Sequence, residues 1–159
     1  MARREATVPR APALIRVSRP ITGRLLRLGL PMGPNGLLTV RGRRSGQPRT
    51  APVAVVELDG RRWVVATFGD VNWARNLRAA REGEIRIRGR SERIHAVELS
   101  QNQAADFFRD IVVPYVDRLP FAWRLLVRLL VRLAAPEIFS DPDRAARERP
   151  VFELGPLPA

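Results

Sequence analysis

The pattern of apolar and polar positions changes twice along the chain. Residues 11–30 carry apolar side chains at helical spacing with arginines on the other face, and Pro20 predicts a kink or two short helices. The middle of the chain shows short runs typical of strands, and later residues return to helical spacing at 100–111 and 121–135. The predicted strands are residues 37–40, 53–58, 63–67, 84–88, 93–99 and 151–154.

Turn residues join most of these runs. Asp59-Gly60 predicts a two-residue hairpin, because glycine accepts a positive φ. A loop is predicted over residues 41–49, and a turn at Gly89-Arg90-Ser91. Successive strands are therefore joined by hairpins, which predicts an antiparallel sheet that curls into a barrel.

Capping residues bound the predicted helices. Asn72 is predicted to cap a helix over 73–81 that Gly83 ends. Ser100 with Gln103 predicts a capping box, and Pro114 is expected to stop that helix. Asp141 followed by a proline predicts the start of a last short helix.

Composition narrows the chemistry. The 159 residues carry a formal net charge of +12, and every basic side chain apart from His95 is an arginine. Without lysine or cysteine, Schiff-base, P-loop and thiol chemistry are excluded. Such a charge predicts an anionic partner: a nucleic acid, a membrane surface or a polyanionic small molecule.

The segment 42–49 is the strongest candidate for anion binding. It places Arg43, Arg44 and Arg49 around Ser45 and two glycines, one of them Gly46. Glycines allow close backbone approach, and arginine forms bidentate, charge-assisted hydrogen bonds with phosphate. A solvated basic hairpin explains the same composition equally well.

A second candidate segment joins a strand end to a helix start. Thr67 and the helix N-terminus offer donors to an anion or a carbonyl, and Phe68 and Trp73 could form the wall of a ring-shaped ligand's site. Packing of Trp73 and Leu77 onto the barrel is the simpler explanation of those two residues.

Few side chains are candidates for proton transfer. Tyr115, the single tyrosine, is either a proton donor and substrate wall or a loop aromatic that anchors the barrel mouth. The lone His95 is expected to be a surface or satisfied residue, and no metal site is predicted. A bound cofactor must therefore supply the difficult chemistry if the chain is an enzyme.

Four stretches of the chain carry a family resemblance. Residues 37–53 (LLTVRGRRSGQPRTAPV), 59–67 (DGRRWVVAT), 73–80 (WARNLRAA) and 150–154 (PVFEL) resemble the deazaflavin-dependent nitroreductase family. The resemblance implies an α+β split β-barrel of the FMN-binding type over residues 31–159. The residue pattern predicts that a basic amphipathic helical segment over 1–30 precedes it. The resemblance also implies coenzyme F-420, a deazaflavin with a phospholactyl-oligoglutamate tail, and a homodimer; FMN is the second choice of cofactor.

The resemblance also implies roles for individual residues. The phosphate would be held by Arg43, Arg44, Ser45, Gly46 and Arg49. The deazaflavin would be lined by Pro52 and Val53, with Ala66, Thr67 and Phe68 near its edge. The pocket wall would be fixed by Trp73, Asn76 and Leu77.

The departures from the family pattern bear on the substrate. Arg44 stands where nitroimidazole-reducing members usually carry lysine, and the C-terminal half has Tyr115 as its one tyrosine. We expect a reductase that transfers a hydride from reduced F-420 to a hydrophobic acceptor such as a quinone, a lipid or a nitro compound, with Tyr115 or solvent supplying the proton. The departures favour a quinone or a lipid over a nitro compound. A cytoplasmic location is expected, with peripheral contact at the inner face of the cell membrane through residues 11–30 and 121–135.

Two other functions stay open. One is a basic module that binds membrane or nucleic acid. Specific nucleic-acid binding is not expected, because the arginines are scattered through every element and aromatic residues make up only 6% of the chain. The other is a coenzyme carrier without catalysis.

Overall fold

The computed structural model describes residues 35–134 and 136–157, so the segment predicted over 1–30 lies outside the described residues. The strands are β1 (Asn35–Arg41), β2 (Pro48–Leu58), β3 (Arg61–Val65), β4 (Glu82–Ile87), β5 (Arg90–Glu98) and β6 (Val151–Pro156). The helices are α1 (Asn72–Ala80), α2 (Gln101–Asp106), α3 (Val113–Arg118), α4 (Phe121–Ala134), α5 (Glu137–Ser140) and α6 (Pro142–Glu148). A π-helical segment, Phe107–Val112, joins α2 to α3.

The strands close into a barrel in the order β1-β2-β3-β6-β5-β4, and each neighbouring pair is antiparallel. Pairing of Leu38 with Ile85 joins β1 to β4 and completes the ring. The prediction of an antiparallel barrel within an α+β fold is confirmed.

Alternation along the strands produces two apolar cores. Val53 and Val55 of β2 point into the barrel, where α1 also contributes Ala74 and Leu77. Val56 belongs to a second core outside the barrel, which the helices after β5 cover. Because successive side chains point to opposite faces of a strand, β2 serves both cores at once.

Three local predictions are confirmed. Asp59 and Gly60 both adopt positive φ, 50° and 77°, as a tight hairpin turn requires. Ser100 and Gln103 form both bonds of the capping box. Asp141 caps α6 by accepting a hydrogen bond from the Arg144 amide at 3.0 Å.

Two predicted boundaries of α1 are wrong. The helix begins at Asn72 itself, because the Val71 carbonyl already accepts a hydrogen bond from the Arg75 amide. Among the residues that the structure describes, no side chain caps the helix. Arg81 ends the helix in the left-handed region, at φ 57°, before the chain reaches Gly83. Gly83 instead lies in β4, where a Cβ atom would sit 2.8 Å from the Thr39 carbonyl oxygen of β1.

Other boundaries also shift. The β4–β5 turn is formed by Arg88 and Gly89 at positive φ, so Arg90 and Ser91 already belong to β5. Pairing of Pro48 with Arg41 extends β2 and shortens the predicted loop to residues 42–47, while β3 ends at Val65.

Pro114 does not stop the helix that begins at Gln101. The chain continues through the π-helical segment into α3, where Pro114 occupies one of the first two helical positions. A proline is tolerated there because the change of hydrogen-bond register removes the need for its missing N–H.

Candidate functional site

The loop over residues 42–47 is held in shape by its own backbone. The Gly42 amide donates to the Gln47 carbonyl and the Gly46 amide to the Gly42 carbonyl, both at 2.8 Å. Gly46 needs its positive φ of 69°, and a Cβ on Gly42 would lie 2.9 Å from Ser45 Oγ. The two glycines of the motif therefore permit a turn that other residues would strain.

Asn76 ties this loop to α1. Its Oδ1 atom accepts hydrogen bonds from the Arg43 backbone amide at 3.2 Å and from Arg43 Nη1 at 2.9 Å. The Asn76 side chain is buried, with 7% of the residue exposed. One buried amide thus fixes both the backbone and the guanidinium of Arg43.

The remaining donors of the loop fit an anion. Within the described residues, the amides of Arg44 and Ser45 at the loop tip have no acceptor. The arginines at 41, 43, 44 and 49 also form no ion pair with any described carboxylate. Free backbone N–H groups and unpaired guanidinium groups both donate hydrogen bonds to phosphate oxygens, so together they form a suitable phosphate site.

The predicted ring-binding residues lie at one point of the barrel wall. Ala54 of β2 pairs with Val65 of β3, so Pro52 and Val53 precede this pair while Ala66 and Thr67 follow it. Val53 and Ala66 are buried in the barrel core, whereas Pro52, Thr67 and Phe68 are half-buried. A ligand in contact with this wall would meet the half-buried residues and the backbone between them.

The predicted pocket-wall residues of α1 face inward. Leu77 is fully buried in the barrel core, and Trp73 packs against it with its ring 6.2 Å from that of Phe152. These contacts anchor the helix that carries Asn76. The loop before α1 is fastened as well, because Asp70 accepts hydrogen bonds from Arg75 and Arg78.

That carboxylate is held in its charged form. Burial alone would raise the pKa of Asp70, but the hydrogen bonds and charges of Arg75 and Arg78 outweigh it and lower the pKa below its ordinary value. The Arg78 guanidinium also contacts Glu98 of β5. The network therefore joins α1, its preceding loop and the barrel wall.

Tyr115 lies away from the anion-binding loop. It is half-buried against the outer core, and burial raises the pKa of its phenol while Arg88 opposes and Glu57 adds to the shift. Because Glu57 affects the phenol, Tyr115 lies near the end of β2 that carries Glu57. Arg49 is eight residues away along the same strand, a distance of about 26 Å at strand spacing. The structure does not bring Tyr115 together with the predicted phosphate ligands.

Arg41 also belongs to this region, although the motif over residues 42–49 does not include it. Its guanidinium lies 3.6 Å from the position of a Cβ on Gly46, so it borders the loop. It also lines a cleft of about 460 Å³ with Glu82, Glu84 and Arg93. Its place in the run of arginines was the only signal, because the Gly42 turn that folds it back is a three-dimensional feature.

Fold and site together define a class. A closed antiparallel barrel with an arginine-rich, glycine-containing loop fastened to the following helix is a split β-barrel of the FMN-binding type, with a loop suited to a phosphorylated cofactor. The family model described as F420H(2)-dependent quinone reductase matches residues 15–123, and the chain belongs to this family. It is therefore an oxidoreductase whose cofactor is coenzyme F-420.

Solved structures with a similar fold have low sequence identity. One, described as a domain-swapped dimer, is 22% identical with a TM-score of 0.48, over 90% of this chain and 100% of that one. An F420-H2 dependent reductase is 22% identical with a TM-score of 0.44, over 77% and 94%. An FMN-binding protein from Nostoc punctiforme, related to pyridoxamine 5'-phosphate oxidase, is 15% identical with a TM-score of 0.48, over 92% and 83%. No curated protein matches the chain.

Proposed function

We propose that the protein transfers a hydride from reduced coenzyme F-420 to a hydrophobic acceptor, such as a quinone, a lipid or a nitro compound. The observation that carries the proposal is the loop over residues 42–47. Within the described residues, its two tip amides lack acceptors and the arginines around it form no ion pair. The residues present fit a phosphorylated, polyanionic coenzyme.

Each part of the site has a distinct task in this proposal. The phosphate is bound by Arg43, Arg44, Ser45, Gly46 and Arg49. Pro52 and the backbone at Val53 would contact the ring, and Ala66, Thr67 and Phe68 would line its edge. Asn76 orients Arg43, while Trp73 and Leu77 hold α1 in place through the barrel core.

When bound, the deazaflavin supplies a hydride from its C5 atom. The chain's own residues orient the ring and keep water from it, since Pro52 and Phe68 are half-buried at this wall and Val53 and Ala66 are buried in the barrel core behind it. The proton comes either from Tyr115 or from solvent. A Tyr115→Phe variant that keeps coenzyme affinity but loses most of its kcat would assign the proton to the phenol.

Assembly and location complete the proposal. We place the protein in the cytoplasm as a homodimer, with peripheral contact at the inner face of the cell membrane, where a lipid-soluble acceptor would be met. Within residues 35–134 and 136–157, no helix is long and apolar enough to cross a bilayer.

The test is a titration of the purified protein with coenzyme F-420, and separately with FMN, followed by tryptophan fluorescence. We expect saturable binding of F-420, weaker binding of FMN, and loss of F-420 binding in the double variant Arg43→Ala/Arg49→Ala. Each guanidinium–phosphate contact removed should weaken binding by about tenfold or more.

The matched control removes the same charge elsewhere. Arg90 and Arg109 are exposed and lie on β5 and the π-helical segment, outside the loop. The variant Arg90→Ala/Arg109→Ala should bind F-420 as the wild type does. Equal losses in both double variants would mean that overall charge, not the loop, holds the coenzyme. Saturable binding of F-420 without turnover of any quinone, acyl or nitro acceptor would favour the carrier function.

A further inference from the structure

The side of helix α4 that faces away from the outer core is apolar and exposed. Val127 and Val131 are half-buried and pack against the outer core. The opposite side of the helix carries four large apolar residues at four-residue spacing, with 72%, 60%, 53% and 72% of each exposed: Phe121, Leu125, Leu129 and Leu133. A helix on a protein surface ordinarily turns polar residues outward, so nothing in residues 35–134 and 136–157 covers this apolar face.

Arginines flank the apolar face on one side. Arg124, Arg128 and Arg132 recur at the same four-residue spacing, and the sequence of α4 contains no acidic residue. Asp117 at the end of α3 neutralises one of them through a 2.6 Å contact with Arg128 Nη2. The face therefore keeps a net positive edge.

We propose that this outer face of α4 is the surface by which the protein binds an anionic lipid bilayer, lying in the plane of the interface. Its four apolar residues span about 18 Å along the helix, which is long enough to lie on a membrane and too short to cross one. The apolar residues enter the acyl boundary, and Trp123, which is partly exposed, lies at headgroup level.

Charge complementarity selects lipid over the two other occupants that the chain itself offers. A second copy would bring the same arginines and no carboxylate on its own α4. The segment 11–30 is equally basic, with four arginines and no acidic residue. Both would place like charges against each other, whereas anionic headgroups neutralise them.

This surface is separate from the anion-binding loop, so lipid binding can fail while coenzyme binding stands. The inference rests on the proposed function, which includes membrane contact, and it assigns that contact to one surface and to anionic lipid.

The experiment is co-sedimentation of the full-length protein with vesicles of phosphatidylcholine alone and of phosphatidylcholine with 30% phosphatidylglycerol. We expect binding to the anionic vesicles only, weakening as the salt concentration rises, with a blue shift of Trp123 emission that the variant Trp123→Phe lacks. The variant Leu125→Gln/Leu129→Gln/Leu133→Gln changes exposed residues, so it should fold normally and bind about tenfold or more weakly.

The control is Val97→Gln, which makes the same kind of change at an exposed apolar residue of β5 and should bind as the wild type does. If the triple variant bound anionic vesicles as tightly as the wild type, the proposal would be overturned, since another surface would then hold the lipid. The proposal would also be overturned if neither protein bound lipid while the wild type was a dimer and the triple variant a monomer. A second copy would then cover the face.

Discussion

At the scale of single residues, the shape of the candidate site depends on a contact between residues that are far apart in the sequence. Asn76 and Arg43 are 33 positions apart, yet one amide oxygen accepts both the backbone and the side-chain donor of Arg43. The sequence motif identified both residues, but nothing in it pairs them. Long-range partners of this kind depend on where a helix docks, which local spacing does not determine.

Replacing Asn76 should therefore weaken coenzyme binding although every proposed phosphate ligand is kept. In Asn76→Ala the Arg43 amide loses its acceptor, so we expect a loss of about 1–2 kcal/mol in the free energy of unfolding and weaker F-420 binding by about tenfold. Urea unfolding and the fluorescence titration measure the two effects. Asn72→Ala on the exposed face of the same helix is the control, and equal losses there would contradict the role given to Asn76.

Tyr115 predicts a pH dependence of stability. Burial raises the pKa of its phenol above the unfolded value of 10.0. The folded state therefore holds the proton more tightly than the unfolded state, so this contribution to stability is fully present below pH 10 and is lost as the pH rises through the folded pKa. Because the chain has one tyrosine, the absorbance of tyrosinate reports this group alone.

Urea unfolding of the wild type and of Tyr115→Phe at pH 9 and pH 11 measures the effect. We expect the wild type to lose more stability than the variant between the two values. In a spectrophotometric titration, tyrosinate should appear at higher pH in the native protein than in urea. Identical titration curves in the two solvents would show that the phenol is not shielded.

At the scale of elements, the sequence predicted what depends on neighbours in the chain. The Asp59-Gly60 hairpin and the Ser100 and Asp141 caps require only the residues that form them, and all three are confirmed. The ends of β2 and α1 depend on partners elsewhere. Pro48 joins β2 because Arg41 of β1 lies opposite it, a pairing that no periodicity within residues 41–49 reveals.

The end of α1 provides the test at this scale. Arg81 holds φ at 57°, a conformation that costs a non-glycine residue roughly 1 kcal/mol. Arg81→Gly should raise the free energy of unfolding by about 0.5–1 kcal/mol, since its amide still donates to the Leu77 carbonyl. Ala79→Gly, within the same helix, should lower it by about 1 kcal/mol. If both variants lose stability in urea unfolding, the Arg81 side chain contributes more than its backbone costs.

At the scale of the whole molecule, charge is distributed unevenly. The net charge of +12 belongs to the full chain, but many described arginines are paired with carboxylates, as in the contacts of Arg75 and Arg78 with Asp70. Among the described residues, the arginines of the 42–49 segment form no ion pair, and the same holds for Arg86, Arg88 and Arg90 around the β4–β5 turn and for Arg124 and Arg132 of α4. Composition predicts an anionic partner, and the folded arrangement indicates which surfaces could bind that partner's negative charge.

This distribution predicts how the length of the coenzyme's glutamate tail should affect binding. Each added carboxylate gains attraction from a basic surface that salt screens over about 10 Å at 0.1 M ionic strength. F-420 with a long tail should therefore bind more tightly than the coenzyme without glutamates, and its affinity should fall more steeply as salt is raised from 50 to 500 mM. Duplex DNA should compete with the long-tailed coenzyme at low salt only, because its attraction has no shape requirement. If the affinities of the two coenzyme forms depended equally on salt, the protein would recognise the phosphate and the ring but not the glutamate tail. The excess of arginines would then bind a different anionic partner.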